Sequence, residues 1–264
     1  MTADLRVMTF NVRGTVHDDG DNCWANRRDL NVATIRAAAP DLFGLQEAQA
    51  GNLSTYMDEL PEYSVALGPP SVKNATTYER VPIYWHRGRL RALEGGGFYL
   101  SETPDRWSVG WGAKYPRAAV WARLRRTADG STFVVLNTHF PHLRSADQTR
   151  VHCARLLLSK LAAFAEDDPV IVMGDFNARP GEAPYAVLAA SDLTDTFTAA
   201  GHNEGVNTFH QFQGEDFPHK GVRIDWIWTQ GFAVRGCHII TDATPPVYPS
   251  DHYPVVADLT LPLV

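Results

Sequence analysis

Two polar residues follow a buried strand in the segment VIVMGDFNARP, residues 170–180. The apolar β-formers from Val170 to Met173 predict a strand of the protein core, and Asp175 and Asn177 come where that strand ends. A carboxylate can take up a proton, and a carboxamide beside it can donate a hydrogen bond, so this pair could serve acid–base chemistry. The same pair could also form an ordinary Asx-turn, and alone it is a weak signal.

Polar residues recur at the ends of other predicted strands. The set comprises Asn11, Glu47, His139, Asp225, Asp251 and His252. Each has a structural alternative, such as a turn residue, the neighbour of a helix N-cap or a polar group satisfied within a strand. Asp225 is the hardest to explain in that way, because it lies between Ile224 and Trp226 and a buried carboxylate needs a partner. Strands make a rigid scaffold with chemistry at their ends, so we interpret the set as one active site.

The ligand chemistry of this set indicates a hard divalent cation. It contains carboxylates, amides and histidines but no cysteine, which suits Mg²⁺ or Mn²⁺ better than zinc. Such ions usually keep several waters and use one or two protein carboxylates together with phosphate oxygens of a substrate. Glu47 is therefore the first candidate ligand, with Asn11 and Asp251 as its neighbours.

The elements that must hold these residues are mostly strands. Apolar spacing predicts helices over residues 26–39, 146–165 and 182–190, and strands over residues 5–12, 42–45, 63–67, 81–86, 90–99, 118–124, 132–139, 170–173, 222–229, 232–240 and 253–261. A purely parallel alternation of strands and helices does not fit, because several neighbouring strands are joined by tight turns. The pattern favours a β-sandwich of mixed sheets with helices on its outer faces, built as a single domain over residues 1–264.

Composition limits the classes of function. The chain has 264 residues, 44% of them hydrophobic and 20% charged, which is typical of a soluble globular protein. Its formal net charge of -6 argues against nonspecific wrapping of nucleic acid. The N-terminal MTADLRVMTF lacks the pattern of a signal peptide, no apolar run is long enough for a membrane span, and the three cysteines form no close pair. We therefore expect a cytoplasmic protein, while noting that a processed secreted form would look the same. The oligomeric state cannot be read from the sequence.

Six segments in order resemble the motif set of the endonuclease/exonuclease/phosphatase superfamily, which includes deoxyribonuclease I. They are TFNVRG (9–14), LQE (45–47), NTHF (137–140), GDFNARP (174–180), RIDWIW (223–228) and SDHYPV (250–255). Together they span nearly the whole chain and are specific for the superfamily, but they do not select a substrate. The resemblance implies an α+β fold, namely a four-layered α/β sandwich of two packed mixed sheets flanked by helices. It also implies hydrolysis of a phosphate ester with a divalent cation.

The same resemblance assigns roles to five motif residues around the cation and the attacking water. Glu47 would bind the cation with support from Asn11, and Asp251 would be a second carboxylate on the metal side. Asp175 would orient and deprotonate the water, and Asn177 would donate to a phosphate oxygen and help to place Asp175.

Three further motif residues would stabilise the transition state. His139 and His252 would bind phosphoryl oxygens, and Asp225 would hold His252 in one tautomer and keep it cationic. In-line attack on a phosphoester needs such parts: an activated water, a charge clamp and little covalent chemistry. Arg13 stands where some repair nucleases of the superfamily carry an aspartate, which weakens the case for a second metal ligand at that position.

The middle of the chain supplies candidates for binding the substrate. They are Glu79, Tyr84, Arg117, His142 and Trp226. Glu79 is expected to pair with His139, and Arg117 either clamps a phosphate with its planar fork or forms a surface salt bridge. Tyr84 contacts the substrate in one interpretation and packs within its strand in the other. The segment NTFHQFQG (207–214) adds aromatic side chains that could shape the pocket.

These observations predict a metal-dependent phosphoesterase, with cleavage of a phosphodiester favoured. Its substrate could be nucleic acid, a nucleotide or another small phosphodiester, although the acidic balance of the chain disfavours long duplexes. The alternative is a phosphomonoesterase acting on a phosphorylated metabolite or a lipid head group. A catalytically silent binding protein is a third hypothesis, and the intact motif set argues against it.

Overall fold

The computed structural model describes residues 5–69, 78–143 and 146–261. The strands are β1 (Leu5–Asn11), β2 (Leu42–Gln46), β3 (Tyr63–Ala66), β4 (Ile83–His86), β5 (Leu90–Tyr99), β6 (Ala118–Arg126), β7 (Thr132–His139), β8 (Val170–Asp175), β9 (Thr194–Asp195), β10 (Asp225–Gln230), β11 (Ala233–Ile239) and β12 (Val255–Thr260). They form two mixed six-stranded sheets, ordered β11-β12-β1-β2-β4-β3 and β5-β6-β7-β8-β10-β9. The pairs β1–β2 and β7–β8 are parallel, and the other pairs are antiparallel.

The helices are α1 (Trp24–Ala38), α2 (Ala50–Glu59), α3 (Asp147–Phe164), α4 (Ala183–Ala189) and the short α5 (Thr196–Ala199). The first four cover the outer faces of the two packed sheets, whereas α5 contacts β10 and β11 and places Phe197 in the core between the sheets. Ile35 of α1 and Tyr56 of α2 pack on the first sheet, whereas Leu157 of α3 and Leu188 of α4 pack on the second. The resulting four layers confirm the predicted α/β sandwich. Within the described residues, no helix has the length and hydropathy needed to cross a membrane.

The central core lies between the sheets and follows the alternation of strand side chains. In β1, Leu5 and Val7 face the opposite sheet, whereas Met8 and Phe10 face the helices. Successive side chains of a strand point to opposite faces, so a polar residue in phase with Leu5 and Val7 must also point between the sheets. Asn11 is such a residue, and it stands at the last position of its strand.

Asn137 links the two sheets through buried hydrogen bonds. Its Nδ2 donates to the carbonyl oxygens of Leu45 (2.8 Å) and Pro82 (3.0 Å), and its Oδ1 accepts from Gln46 Nε2 (2.7 Å). Gly44 makes room for this side chain, because a Cβ at Gly44 would lie 2.5 Å from Asn137 Cγ. The asparagine of the NTHF motif therefore has a structural function, since it fixes one sheet against the other just below the candidate site.

We expect Asn137→Ala to lower the free energy of unfolding by about 3 kcal/mol, because it removes three buried hydrogen bonds that contribute about 1 kcal/mol each. The carbonyl of Leu45 loses this donor, whereas the carbonyl of Pro82 keeps the backbone N–H of Leu45 (3.0 Å) and the amide of Gln46 keeps Thr9 Oγ1 (3.0 Å). Urea unfolding measures the change, with Asn203→Ala in an exposed loop as the control. A loss similar to that of the control would contradict the linking role.

The structure adds two elements to those predicted, α2 and the short β9–α5 unit. Helix α2 packs on the first sheet through Tyr56, which is buried, and Leu53, which is partly buried. The helix begins with a capping box in which Asn52 Oδ1 accepts from Gln49 N (2.9 Å). Such a capping box is a polar signal for the start of a helix, and apolar spacing alone does not include it.

Candidate active site

Three neighbouring strands of the second sheet bring three candidate residues side by side. His139 of β7 lies opposite Asp175 of β8 in the parallel pair, and Asp175 lies opposite Asp225 of β10 in the antiparallel pair. Asn11 reaches the same point from the first sheet, where its Nδ2 donates to Asp175 Oδ2 (3.0 Å). All four residues are in phase with side chains of the central core, so they meet at one end of the gap between the sheets.

The backbone around these strand ends adopts unusual conformations. Glu47 directly follows β2 with φ 60°, and Asn177 has φ 48°. Non-glycine residues in this left-handed region are uncommon and are often found where the surroundings fix a functional site. Gly174 has φ 151°, and a Cβ there would lie 2.2 Å from the carbonyl oxygen of Thr138. The glycine before Asp175 is therefore a steric requirement of the close approach between β7 and β8.

Asp175 is the buried carboxylate at the centre of the site. Its Oδ1 accepts from the backbone N–H of Asn177 (2.9 Å), and its Oδ2 accepts from Asn11 Nδ2 (3.0 Å). The Nε2 atoms of His139 and His252 lie 3.4 Å and 3.8 Å from the same Oδ2. Two donors thus fix the carboxylate, and the two imidazoles lie beside its Oδ2 atom. Asp175, His139 and His252 all line a cleft that is open to the surface.

The charges of neighbouring buried groups set the protonation of His252 and Asp175. His252 Nδ1 lies 2.9 Å from Asp225 Oδ2, and both side chains are buried. Burial by itself would lower the pKa of His252, but the charge and hydrogen bond of Asp225 and the charges of Asp175 and Asp251 raise it to about 10. Burial and the charge of Asp225 raise the pKa of Asp175 to about 7, against the charge of His252. The site therefore holds an imidazolium beside a carboxylate that titrates near neutral pH.

His139 differs from His252 in its charge. Burial, followed by the positive charge of Arg117, lowers the pKa of His139 well below its usual value. Its Nδ1 is buried and has no hydrogen-bond partner among the described residues. A neutral imidazole can donate one hydrogen bond and accept another, so His139 can bind an oxygen without adding a charge.

Glu47 marks a second centre of negative charge. Asn11 Nδ2 donates to Glu47 Oε1 (3.1 Å), and burial together with the charges of Glu79 and Asp251 raises the pKa of Glu47 to about 7. Candidate ligand atoms of His17, Glu47 and Glu79 all lie within 4.8 Å of one another. Two carboxylates and an imidazole at such separations fit a divalent cation, which would also offset the repulsion between the carboxylates.

Asn11 and Asp251 lie beside this centre, and each already has a partner. Asn11 presents its amide nitrogen to Glu47, and its Oδ1 accepts from the backbone N–H of Arg13 (3.0 Å). Arg13 Nε lies 3.9 Å from Asp251 Oδ2, and the same guanidinium donates to both oxygens of Asp19. In this arrangement Asn11 positions carboxylates, and Asp251 faces a fixed positive charge.

A cleft of about 880 Å³ opens over these groups. Arg117, His142 and Glu79 belong to its lining, and Arg117 Nη1 donates to Glu79 Oε2 (2.7 Å). Arg117 Nη2 lies 3.3 Å from His142 Nδ1. The predicted pairing of Glu79 with His139 is wrong, because His139 Nε2 lies beside Asp175 and its Nδ1 has no hydrogen-bond partner among the described residues. The volume suits a small ligand rather than a flat surface contact.

Tyr84 and Trp226 do not reach the cleft, and their prediction as substrate-binding residues is wrong. Tyr84 stacks on Phe43 with ring centroids 4.8 Å apart, and Trp226 stacks on Phe176 at 4.6 Å. Both belong to the layers between a sheet and its helices. Trp226 follows Asp225 in β10, so the alternation of the strand sends it to the opposite face.

The lining of the cleft includes aromatic residues that the sequence pattern predicts and polar residues that it does not. Phe209 and Phe212 of the 207–214 segment line the cleft, as the aromatic pattern suggests. His17 and Gln49 also line it, although neither belongs to a recognisable strand end. Gln49 Oε1 accepts from the backbone N–H of Thr15 (2.7 Å) and thereby ties the loop after β1 to the start of α2. Proximity to the TFNVRG motif was the one available signal for His17.

We expect a bell-shaped dependence of kcat/KM on pH. The rate should rise as Asp175 loses its proton near pH 7, because only the carboxylate can accept a proton from water. It should fall near pH 10 as His252 loses its positive charge. Steady-state kinetics with a soluble chromogenic phosphoester in overlapping buffers would measure both limbs. A rate that does not change across neutral pH would contradict the role of Asp175 as the base.

Comparison with known families gives a match over most of the chain. Residues 8–252 match the model of the Endonuclease/Exonuclease/phosphatase family. The chain is 27% identical to Nocturnin of Drosophila melanogaster over 208 aligned residues. The aligned region covers 72% of this chain and 31% of that protein. The chain thus spans about a third of the length of this relative.

Solved structures with the same fold cover the described sandwich from end to end. An endonuclease/exonuclease/phosphatase from Bacteroides vulgatus superimposes with a TM-score of 0.89 at 29% identity, over 98% of this chain and 99% of that one. A mannosyl-6-phosphatase of Bacteroides thetaiotaomicron gives a TM-score of 0.87 at 27% identity, over 97% of this chain and 100% of that one.

Proposed function

The chain belongs to the endonuclease/exonuclease/phosphatase family, and on that premise we propose that it is a divalent-metal-dependent phosphoesterase that cleaves a phosphodiester by direct attack of water. The observation that carries the proposal is the environment of Asp175, a buried carboxylate with a pKa raised to about 7 beside an imidazolium. General bases work best when their pKa lies near the operating pH.

Asp175 is the proposed base for the attacking water. Its two hydrogen bonds, from Asn177 N and Asn11 Nδ2, hold the carboxylate in one orientation. A base whose position is fixed before the reaction loses less entropy in the transition state. The proton of the water passes to a carboxylate oxygen of Asp175 as the water oxygen attacks phosphorus. The P–O bond to the leaving group breaks, and the alkoxide that leaves takes a proton from solvent.

His252, His139 and Asn177 are the proposed clamp for the phosphoryl oxygens. His252 carries the positive charge, since Asp225 holds its Nδ1 and leaves Nε2–H to point into the site. Asn177 Nδ2 donates to the carbonyl oxygen of Phe140 (3.0 Å), which fixes the amide and leaves its second N–H for the substrate. Fixed donors aimed at developing charge are worth several kcal/mol in such reactions, about 3–4 per group removed.

Glu47 is the proposed first ligand of the cation, Asn11 orients it, and Asp251 adds a second negative charge on that side. A bound Mg²⁺ or Mn²⁺ would neutralise the phosphate and stabilise the leaving oxygen. The raised pKa of Glu47 fits this role, because a buried carboxylate close to other carboxylates gains most from a neighbouring cation.

A phosphomonoesterase is the second candidate function. It is favoured by the resemblance to the mannosyl-6-phosphatase and by the lining residues Arg117 and His142, which could bind the extra negative charge of a monoester. The cleft of about 880 Å³ accommodates a sugar phosphate, a small diester or the end of a nucleic acid strand, but not the surface of a duplex.

Parallel hydrolysis of bis-p-nitrophenyl phosphate and p-nitrophenyl phosphate tests the proposal, with Mg²⁺, with Mn²⁺ and with EDTA. We expect metal-dependent cleavage of the diester that is absent from an Asp175→Asn blank. Cleavage of the monoester alone would replace the diesterase by the phosphatase.

If neither compound is hydrolysed while the divalent cation still binds, the result would favour a catalytically silent binding protein. Metal binding is therefore measured on the same preparation. Activity that persists in EDTA would overturn the metal-dependent mechanism itself.

A further inference from the structure

His17 brings a nitrogen atom to the carboxylates of the proposed metal site. It lies in the loop after β1, Glu47 follows β2, and Glu79 precedes β4, so three separate segments converge. Their candidate ligand atoms lie within 4.8 Å of one another. Ligands about 2.1 Å from one ion are themselves about 3–4 Å apart, so small side-chain movements would close the site.

An independent observation concerns the imidazole itself. Nε2 of His17 is shielded from solvent and has no hydrogen-bond partner among the described residues. Buried polar atoms without a partner are rare, and an ion or a water usually accounts for them. A water could satisfy Nε2, but only a cation would at the same time offset the charge of Glu47, which has Asn11 as a neutral partner, and add to the offset that Arg117 gives to Glu79.

The loop that carries His17 is held in place. Gln49 Oε1 accepts from the backbone N–H groups of Thr15 (2.7 Å) and Val16 (3.1 Å), and Arg13 is paired with Asp19 across the same loop. Gly14 lies against Gln49, since a Cβ there would come 2.6 Å from the Gln49 side chain. His17 is therefore presented by a fixed backbone, as a metal ligand should be.

Glu79 can share its carboxylate between two partners. Its Oε2 accepts from Arg117 (2.7 Å), and a carboxylate has further lone pairs for a cation. Arg117 thereby orients Glu79 in the way that outer partners commonly orient metal ligands.

We propose that His17 is a nitrogen ligand of the divalent ion, together with Glu47 and Glu79, and that the site prefers imidazole-accepting ions over Mg²⁺. Imidazole suits first-row transition metals, whose affinity rises from Mn²⁺ through Co²⁺, whereas Mg²⁺ favours oxygen ligands. The inference rests on the proposed function only in that it concerns the same cation.

Electron spin-echo spectroscopy of the Mn²⁺-loaded full chain tests it without any turnover. Modulation by a directly bound ¹⁴N nucleus is expected in the wild type and in His142→Gln, which changes another histidine of the same cleft. It should disappear in His17→Gln, which replaces the nitrogen donor by an amide oxygen. Titration calorimetry should show that His17→Gln weakens Co²⁺ binding by about tenfold or more and leaves Mg²⁺ binding nearly unchanged.

The possible failures are distinguishable. One result would overturn the role of His17 and leave the proposed function standing. In that result Mn²⁺ binds tightly and Glu47→Gln removes the binding, but the ¹⁴N modulation is either absent or persists in His17→Gln. No binding of any divalent ion to the wild type would overturn both.

Discussion

Asp175→Asn is expected to lower kcat for the cleaved phosphoester by about 10³-fold, because proton transfer by a positioned side chain contributes about 10²–10⁴. The asparagine has nearly the same shape, and it can still accept from Asn177 N or from Asn11 Nδ2. It cannot take a proton from water. The loss should therefore be in kcat rather than in KM.

Stability should not follow activity in this variant. Burial and Asp225 raise the pKa of Asp175 above that of an exposed carboxyl, so its ionised form destabilises the fold at pH values above about 7. This cost disappears as the pH falls below the ordinary pKa of aspartate. In mildly alkaline buffer, Asp175→Asn should leave the free energy of unfolding unchanged or increase it.

Kinetics with the active substrate and urea unfolding on the same samples measure both effects. Asp192→Asn, an exposed aspartate outside the cleft lining, is the control for the substitution itself. Retention of more than about a tenth of the wild-type kcat would remove Asp175 from the role of base. Unfolding of the variant would assign it a structural role instead.

His252→Ala is expected to reduce kcat by about 10²–10³-fold, the usual loss when a donor to a developing oxyanion is removed. The imidazolium lies 2.9 Å from Asp225 and 3.8 Å from Asp175, and it is buried. Its removal leaves two buried carboxylates facing each other without a cation. The pKa of Asp175 should then rise further, since the charge of His252 is one of the influences that lower it.

Asp225→Asn tests the charge of the His252 imidazole while the imidazole itself is kept. The ring of His252 stays, but the charge of Asp225, which contributes most to raising the pKa of His252, is lost. We expect the alkaline limb of the pH profile to move below pH 10 in Asp225→Asn and the acidic limb to move upward in His252→Ala. A merely structural role for either residue would lower the rate without moving a limb.

The residues of the site could be found from the sequence because they occur at the ends of apolar strands. Asp175 and His139 follow runs of buried β-formers, and such runs can be recognised without a structure. The ordered motifs identify the family, and the family implies the four-layered fold. Local patterns were sufficient to identify the site residues and the fold, since each pattern is determined by a few neighbouring residues.

Strand alternation could have excluded two wrong predictions. Trp226 is adjacent to Asp225 in one strand, and Tyr84 lies between Ile83 and Trp85, which face the central core. Both aromatic residues must therefore point to the helices. The pattern was present in the sequence, but using it requires knowing which phase of each strand faces the opposite sheet.

Other features depend on contacts between segments that are distant in the chain. Glu79 pairs with Arg117 and not with His139, and His17 comes within reach of Glu47 through a loop with no repeating pattern. The raised pKa of Asp175 arises from burial and from the charge of Asp225, whereas the raised pKa of His252 arises, against its burial, from the charge and hydrogen bond of Asp225 and the charges of Asp175 and Asp251. The sequence by itself determined the types of the reactive groups and the strands that carry them. Their distances, their burial and hence their protonation were decided only by the tertiary structure, because electrostatic interactions depend on separation and on exclusion of water.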